Sequence, residues 1–116
     1  MLNITGKRVY LACGHTDMRK SINGLSAMVR GSFKLDPFDK TLYVFCNRKR
    51  DRIKILEWDE DGFWVYFKRL EKGQFRWPAP GEEATMALTG EELSYLIGGT
   101  RVALKLKRNE VLERKI

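Results

Sequence analysis

The chain has 116 residues and a net charge of +7, with 43% hydrophobic and 32% charged residues. This composition is typical of one globular domain and excludes a disordered chain. No run approaches the ~18 apolar residues of a membrane helix, and the first residues lack the pattern of an export signal. We therefore expect a cytoplasmic protein, in which the widely separated Cys13 and Cys46 are buried free thiols.

The positive charge is concentrated in the first half. Residues 1–57 hold 12 Lys and Arg against 5 Asp and Glu, whereas residues 58–116 hold 10 of each. Such an imbalance favours a polyanionic partner such as nucleic acid, although many basic bacterial proteins bind no nucleic acid.

The first elements in chain order are a strand, a helix and a second strand. Residues 9–12 predict the first strand, and Asp17 is placed to cap a helix that runs from Met18 to about Arg30 and ends at Gly31. Its buried face is indicated by apolar residues at helical spacing: Met18, Ile22, Leu25 and Val29. The second strand covers residues 41–46, and the charged connection 47–51 follows it.

Residues 52–58 and 63–70 flank an Asp-Gly sequence, which predicts a β-hairpin. Residues 85–88 predict a short strand, and Thr89 with Glu92 matches a helix capping box. Alternation over residues 102–107 predicts a short amphipathic strand in a basic C-terminal tail, about residues 100–116. We predict a single α+β domain, with an antiparallel sheet built around the hairpin, one main helix and a short second helix.

The hairpin register decides which side chains share a face. A three-residue turn would place Asp59 opposite Phe63, with Trp58 opposite Trp64. One face would then be aromatic with basic edges, and it would hold Arg52, Lys54, Leu56, Trp58, Trp64, Tyr66 and Lys68. The other would be a core face of Ile53, Ile55, Phe63, Val65 and Phe67. The aromatic face either stacks on bases or a partner protein, or is covered by a helix.

Basic residues around this hairpin are the candidates for contacting phosphate groups. The candidates are Arg48, Lys49, Arg50, Arg52, Lys54 and Lys68. The candidates for stacking on bases or on a partner are Trp58, Trp64 and Tyr66. The alternative is that the basic loop, Arg48 to Arg50, is an ordinary connection exposed to solvent.

Catalytic and metal-binding patterns are weak in this sequence. The chain has one histidine, His15, which with Asp17 forms the only pair suited to acid–base chemistry. His15 and Cys13 are too few ligands for a closed metal site, and no phosphate-binding or nucleophile motif is present. We expect no catalytic residue, no metal and no cofactor.

Three blocks of the sequence resemble a known family. The blocks are LACGHTDMRKSINGLSAMV, LYVFCNRKRDRIKILEWDEDGFWVYFKRLEKGQFRWP and MALTGEELSYLIGG. They resemble the TnpB accessory protein encoded by the second open reading frame of insertion sequence 66 elements, over about residues 9–99. The resemblance does not extend to the much longer RNA-guided nucleases that share the name.

The resemblance implies a non-enzymatic accessory protein in the transposition of a bacterial element, with the separate transposase of that element as its partner. It supplies no binding residues. One hypothesis adds direct contact with DNA at the element ends, and a second is a module that docks on the transposase without DNA. A remote third is a small nuclease that uses His15 and Asp17. The oligomeric state is not predicted.

Overall fold

The computed structural model describes Leu2 and residues 4–98 of the chain. Within these residues the elements are β1 (Val9–Ala12), α1 (Ile22–Ala27), β2 (Leu42–Cys46), β3 (Arg52–Asp59), β4 (Gly62–Arg69), β5 (Thr85–Leu88) and α2 (Gly90–Leu96). The predicted strand at residues 102–107 lies outside the described residues. No helix in the described part has the length and apolar character needed to cross a membrane.

The five strands form one sheet in the order β4-β3-β2-β1-β5. Neighbouring strands are antiparallel except β1 and β2, which are parallel and joined through α1. The α+β class is confirmed, and the prediction of a wholly antiparallel sheet is wrong for this one pair. The parallel pair follows from the helical connection between β1 and β2, which returns the chain to the same end of the sheet.

Both faces of the sheet are covered, so the strands carry apolar residues on both sides. On one face Leu25 of α1 and Val29 pack against the sheet residues Ala12, Tyr43, Phe45 and Leu56. On the other face Leu93 of α2 and Phe75 pack against the sheet residues Val9, Leu11, Leu42, Val44, Cys46, Ile53 and Ile55. This double burial explains why β2 is a continuous apolar run, all five residues of which are buried.

The first helix is shorter than its apolar spacing suggests. It begins at Ile22 after Ser21, and it continues as a π-helical turn over Met28–Ser32. Asp17 is not its N-cap, because the Asp17 carboxylate instead accepts from the backbone and guanidinium of Arg19. Leu25 and Val29 are fully buried, as the spacing predicted, but Met18 lies before the helix and Ile22 is 37% exposed, so that part of the predicted buried face is wrong.

The predicted hairpin register is wrong by one residue. Glu60 and Asp61 form a two-residue turn, so Asp59 pairs with Gly62 and Trp58 pairs with Phe63. Glu60 supplies the positive φ, at 54°. Since side chains alternate along a strand, this single shift moves every β4 side chain to the other face relative to β3.

The second helix begins as predicted. Thr89 accepts from the Glu92 amide at 3.1 Å, and the Glu92 carboxylate accepts from the Thr89 amide at 2.9 Å. Gly90 lies under the N-terminal segment, where an added Cβ would be 2.0 Å from the Ile4 carbonyl oxygen. Glycine is therefore required for this close approach of the two backbones.

Candidate functional site

A cleft lies at the carboxyl ends of the parallel strands β1 and β2. Gly14 and His15 follow β1, Asn47 to Arg50 follow β2, and residues 77–80 form the third wall. Its volume is about 160 Å³. In open α/β sheets, ligands commonly bind outside the carboxyl ends of the parallel strands.

Backbone hydrogen bonds hold the third wall against the end of β1. The Gly14 amide donates to Pro78 O at 2.9 Å, and the Trp77 indole donates to Ala12 O at 2.8 Å. Gly14 has a φ of 77°, a conformation that favours glycine. These contacts join two segments more than sixty residues apart, so the cleft exists only in the folded chain.

The basic loop after β2 is fixed by Asn47. The side-chain oxygen of Asn47 accepts from the amides of Asp51 and Arg52 at 3.0 and 2.9 Å. Its amide nitrogen donates to the Asp51 carboxylate at 2.7 Å, and this bond lowers the pKa of Asp51. Arg50 has a φ of 61°. The loop therefore has a defined shape in which its basic side chains are exposed.

The charge of the cleft is positive. Among the described residues that line it, the ionisable side chains are His15, Arg48 and Arg50. Arg48 Nη2 lies 3.2 Å from His15 Nε2, and the guanidinium donates to this ring nitrogen in the tautomer that leaves Nε2 without a proton. Two carboxylates of neighbouring segments do not line the cleft: Asp51 accepts from the Asn47 amide, and hydrogen bonds from Arg19 lower the pKa of Asp17 to about 2. Basic groups grouped in this way suit an anionic ligand.

Two of the predicted phosphate contacts have partners inside the protein. Lys54 Nζ donates to the carbonyls of Met18 and Lys20 at 2.9 and 2.7 Å, and so ties the segment before α1 to β3. Lys68 Nζ donates to Ile97 O at 3.0 Å. Both side chains therefore have a structural contact, unlike Lys49, which has no side-chain hydrogen bond or ion pair to the described residues.

Arg52 lies at the start of β3, beside the basic loop. Its guanidinium is 3.7 Å from the Asp51 carboxylate, and its side chain is 38% exposed. A pair this exposed contributes little to stability. Arg52 can therefore turn to an external anion at small cost.

The predicted aromatic face does not form, because the corrected register divides its members between the two faces of the sheet. Trp58 packs edge-on against Phe38 and Phe63, with centroids 5.0 Å apart in each pair. Trp64 and Tyr66 stack on the opposite face, with centroids 6.1 Å apart. Trp64 is the exposed member, at 51%.

Tyr66 belongs to a partly buried polar cluster. Its hydroxyl donates to Glu57 at 2.9 Å, and Lys7 lies 3.1 Å from the same carboxylate group. Burial, and then the hydrogen bond to Glu57, raise the pKa of Tyr66 to about 12. Tyr66 is thus held in one orientation, as a support beneath the Trp64 ring.

The hypotheses of nuclease and metal chemistry find little support in the geometry. His15 and Asp17 contact different arginines, as described above. Within the described residues there is no group of His, Cys, Asp or Glu suited to hold a metal. Cys46 is fully buried, and burial raises the pKa of its thiol to about 12, which leaves it an inert core side chain.

Sequence reasoning missed two members of the cleft. His15 was considered for catalysis and as a metal ligand but not as part of a cleft, and no role was predicted for Trp77. Gly14 next to His15 and the spacing of Pro78 and Pro80 were signals of fixed loops, but no pattern in the sequence indicates that these loops meet.

The fold and the cleft define a small α+β protein with a basic crevice at the carboxyl ends of its two parallel strands. The family model described as IS66 Orf2 like protein matches residues 7–107. The chain therefore belongs to the IS66 Orf2-like family, a family of accessory proteins of insertion sequences. This confirms the resemblance seen in the sequence.

Two relatives come from Sinorhizobium fredii (strain NBRC 101917 / NGR234). The uncharacterized protein y4hO is 39% identical over 92 residues, which cover 79% of each chain. The uncharacterized protein y4jC is 34% identical over 103 residues, which cover 86% of this chain and 87% of the relative. No solved structure matches the chain.

Proposed function

We propose that this protein is a non-enzymatic accessory factor that binds DNA at the ends of its insertion sequence and helps the transposase assemble there. The supporting observation is the cleft in which His15, Arg48 and Arg50 are the ionisable lining groups. Family membership supports a role in transposition and association with the transposase. The cleft supports direct contact with phosphate.

The proposed DNA contacts are Arg48, Lys49, Arg50 and Arg52, with the exposed His15 beside them in the lining of the cleft. Arginine and lysine bind phosphate through charge-assisted hydrogen bonds and release counterions from the DNA. The four basic residues are consecutive but for Asp51, whose carboxylate is bound by Asn47. Lys54 and Lys68 are left out of this set, because their ammonium groups already donate to backbone carbonyls.

The test is fluorescence anisotropy with duplex and single-stranded element ends, and with scrambled controls, across a salt series. Each phosphate contact on duplex DNA contributes about 0.9 to the slope of log affinity against log salt. The variant Arg48→Ala/Arg50→Ala should therefore lower the slope by about two.

The matched control is Arg8→Ala/Lys40→Ala, which removes two exposed charges at the amino ends of β1 and β2. These residues lie at the end of the parallel pair away from the cleft. Equal losses of affinity in the two double variants would mean that only net charge matters. If the wild-type protein fails to bind DNA at low salt, the DNA-binding proposal is wrong.

A second candidate is a docking module that contacts the transposase without DNA. The observation that favours it is the exposed Trp64 ring stacked on Tyr66. Exposed aromatic rings on a fixed support are frequent anchors of protein interfaces. Loss of transposase binding in Trp64→Ala, in a protein with no DNA affinity, would support this candidate.

A further inference from the structure

The outer edge of β4 is long, apolar and unpaired within the described residues. Among the strands that the structure describes, β4 and β5 are the outermost, and they have eight and four residues. Trp64 and Phe67 on β4 are 51% and 55% exposed. Short or charged edge strands resist pairing, whereas a long edge with exposed apolar side chains is a template for another strand.

The hairpin geometry shows which backbone groups face outward from β4. A two-residue turn is closed by a hydrogen-bonded pair, here Asp59 and Gly62. Since hydrogen-bonded and non-hydrogen-bonded pairs alternate, the amides and carbonyls of Phe63, Val65 and Phe67 point away from β3. These groups are the ones available to a strand added at this edge.

We propose that β4 pairs antiparallel with β4 of a second copy of this chain, centred on Val65. Pairing about Val65 brings the outward-facing backbone groups of one copy opposite those of the other. Phe63 then lies opposite Phe67 of the second copy, and Trp64 lies opposite its Tyr66. Each pair joins side chains on the same face, as an antiparallel sheet requires.

The charge pattern of the hairpin favours a second copy as the added strand. Acidic residues, Asp59 to Asp61, precede β4, and the strand ends with the basic residues Lys68 and Arg69. An antiparallel copy reverses this order, so that Asp61 lies opposite Arg69 of the other chain at both ends. Arg69 now contacts Glu71 in an exposed pair, which contributes little to stability and leaves it able to exchange partners.

Neighbouring registers lack this complementarity. Pairing centred on Tyr66 would set Trp64 opposite Lys68 and Phe63 opposite Arg69 of the second copy. A centre between two residues would place side chains of opposite faces together. The Val65 centre is thus the register that matches aromatic with aromatic and acid with base.

Charge reversal can test the pairing, since Asp61 and Arg69 cannot meet within one chain. Eight residues of strand separate them by about 26 Å. Arg69→Asp places two acids opposite each other at both ends of the dimer, and Asp61→Arg places two bases there. Each variant alone should weaken self-association about tenfold. Mixing the two variants restores both opposite-charge pairs and should produce a one-to-one heterodimer.

The measurement is light scattering after size exclusion over a concentration series, with native mass spectrometry of the mixed variants. We expect a wild-type dimer, weaker dimers of each single variant, a restored dimer of Asp61→Arg/Arg69→Asp, and heterodimers on mixing. A wild-type monomer at every concentration would overturn the proposal. So would a dimer that the variants leave unchanged, since another surface would then hold it. A protein that stays monomeric alone but binds the transposase through β4 would also overturn the proposal, because this edge would then belong to the contact with the transposase.

Discussion

Lys54 provides the sharpest distinction between a structural and a DNA-binding residue. Its ammonium group donates to Met18 O and Lys20 O, one bond partly buried and the other exposed. Hydrogen bonds to a charged group contribute about 1.5–3 kcal/mol when shielded from solvent. Counting the shielded bond in full and the exposed one as small, Lys54→Met should lower the free energy of unfolding by about 2 kcal/mol.

The expected loss converts to a melting shift. For 116 residues the entropy of unfolding is about 0.24 kcal/mol/K, so 2 kcal/mol lowers Tm by about 8 °C. Calorimetry or circular dichroism measures this shift, and anisotropy measures the DNA affinity of the same variant. We expect unchanged affinity, because the ammonium group is already bound inside the protein.

The matched control is Arg52→Met, two residues away on the same strand. Its side chain is 38% exposed and its guanidinium lies 3.7 Å from the Asp51 carboxylate, so its removal should cost less than about 1 kcal/mol of stability. Its DNA affinity should fall. The reasoning is refuted if Lys54→Met keeps the wild-type Tm and loses DNA binding, since Lys54 would then contact phosphate as the hairpin pattern first indicated.

Four further predictions concern the core, a backbone contact, thiol reactivity and a titration. Leu25→Ala should lower the free energy of unfolding by about 3 kcal/mol in a urea titration, because the side chain is fully buried; a loss under about 1 kcal/mol would contradict that packing. Gly90→Ala should also destabilise, although alanine favours helices, because its Cβ would meet the Ile4 carbonyl; a raised Tm would show that the segments separate easily. Cys46 should resist a thiol reagent at pH 8 until the protein unfolds, since burial raises its pKa and blocks access; rapid labelling of the native protein would be inconsistent with this. The Asp17 carboxyl should titrate with a pKa of about 2 in an NMR titration. The stability that this lowered pKa contributes is therefore present above the usual pKa of 3.8 and is lost as the pH falls towards 2. Arg19→Ala should return the titration midpoint to the usual value, and an unchanged midpoint would exclude Arg19 as the cause.

Local patterns were enough to locate most elements. The first strand, the hairpin strands and the capping box at Thr89 appear where alternation, the Asp-Gly sequence and capping chemistry predict them. These features depend on residues close together in the chain, whose spacing directly sets which side chains share a face. The start of α1 is an exception, because the helix begins at Ile22 after Ser21, and the carboxylate of Asp17 binds Arg19 instead of capping it.

Pairing between distant segments was decided by the tertiary structure. The β3–β4 turn has two residues instead of the predicted three, and this difference places Trp58 and Trp64 on opposite faces of the sheet. A sequence window cannot choose between the two turn lengths, because both are compatible with the backbone. The cleft depends on contacts such as that between Gly14 and Pro78, which no local preference encodes. Composition and spacing thus determined most elements and the basic loop, and the resemblance of three sequence blocks indicated the family. The hairpin register, the neighbours of Lys54 and the contact of His15 with Arg48 were decided by the tertiary structure, because they depend on the free energy of packing the whole chain.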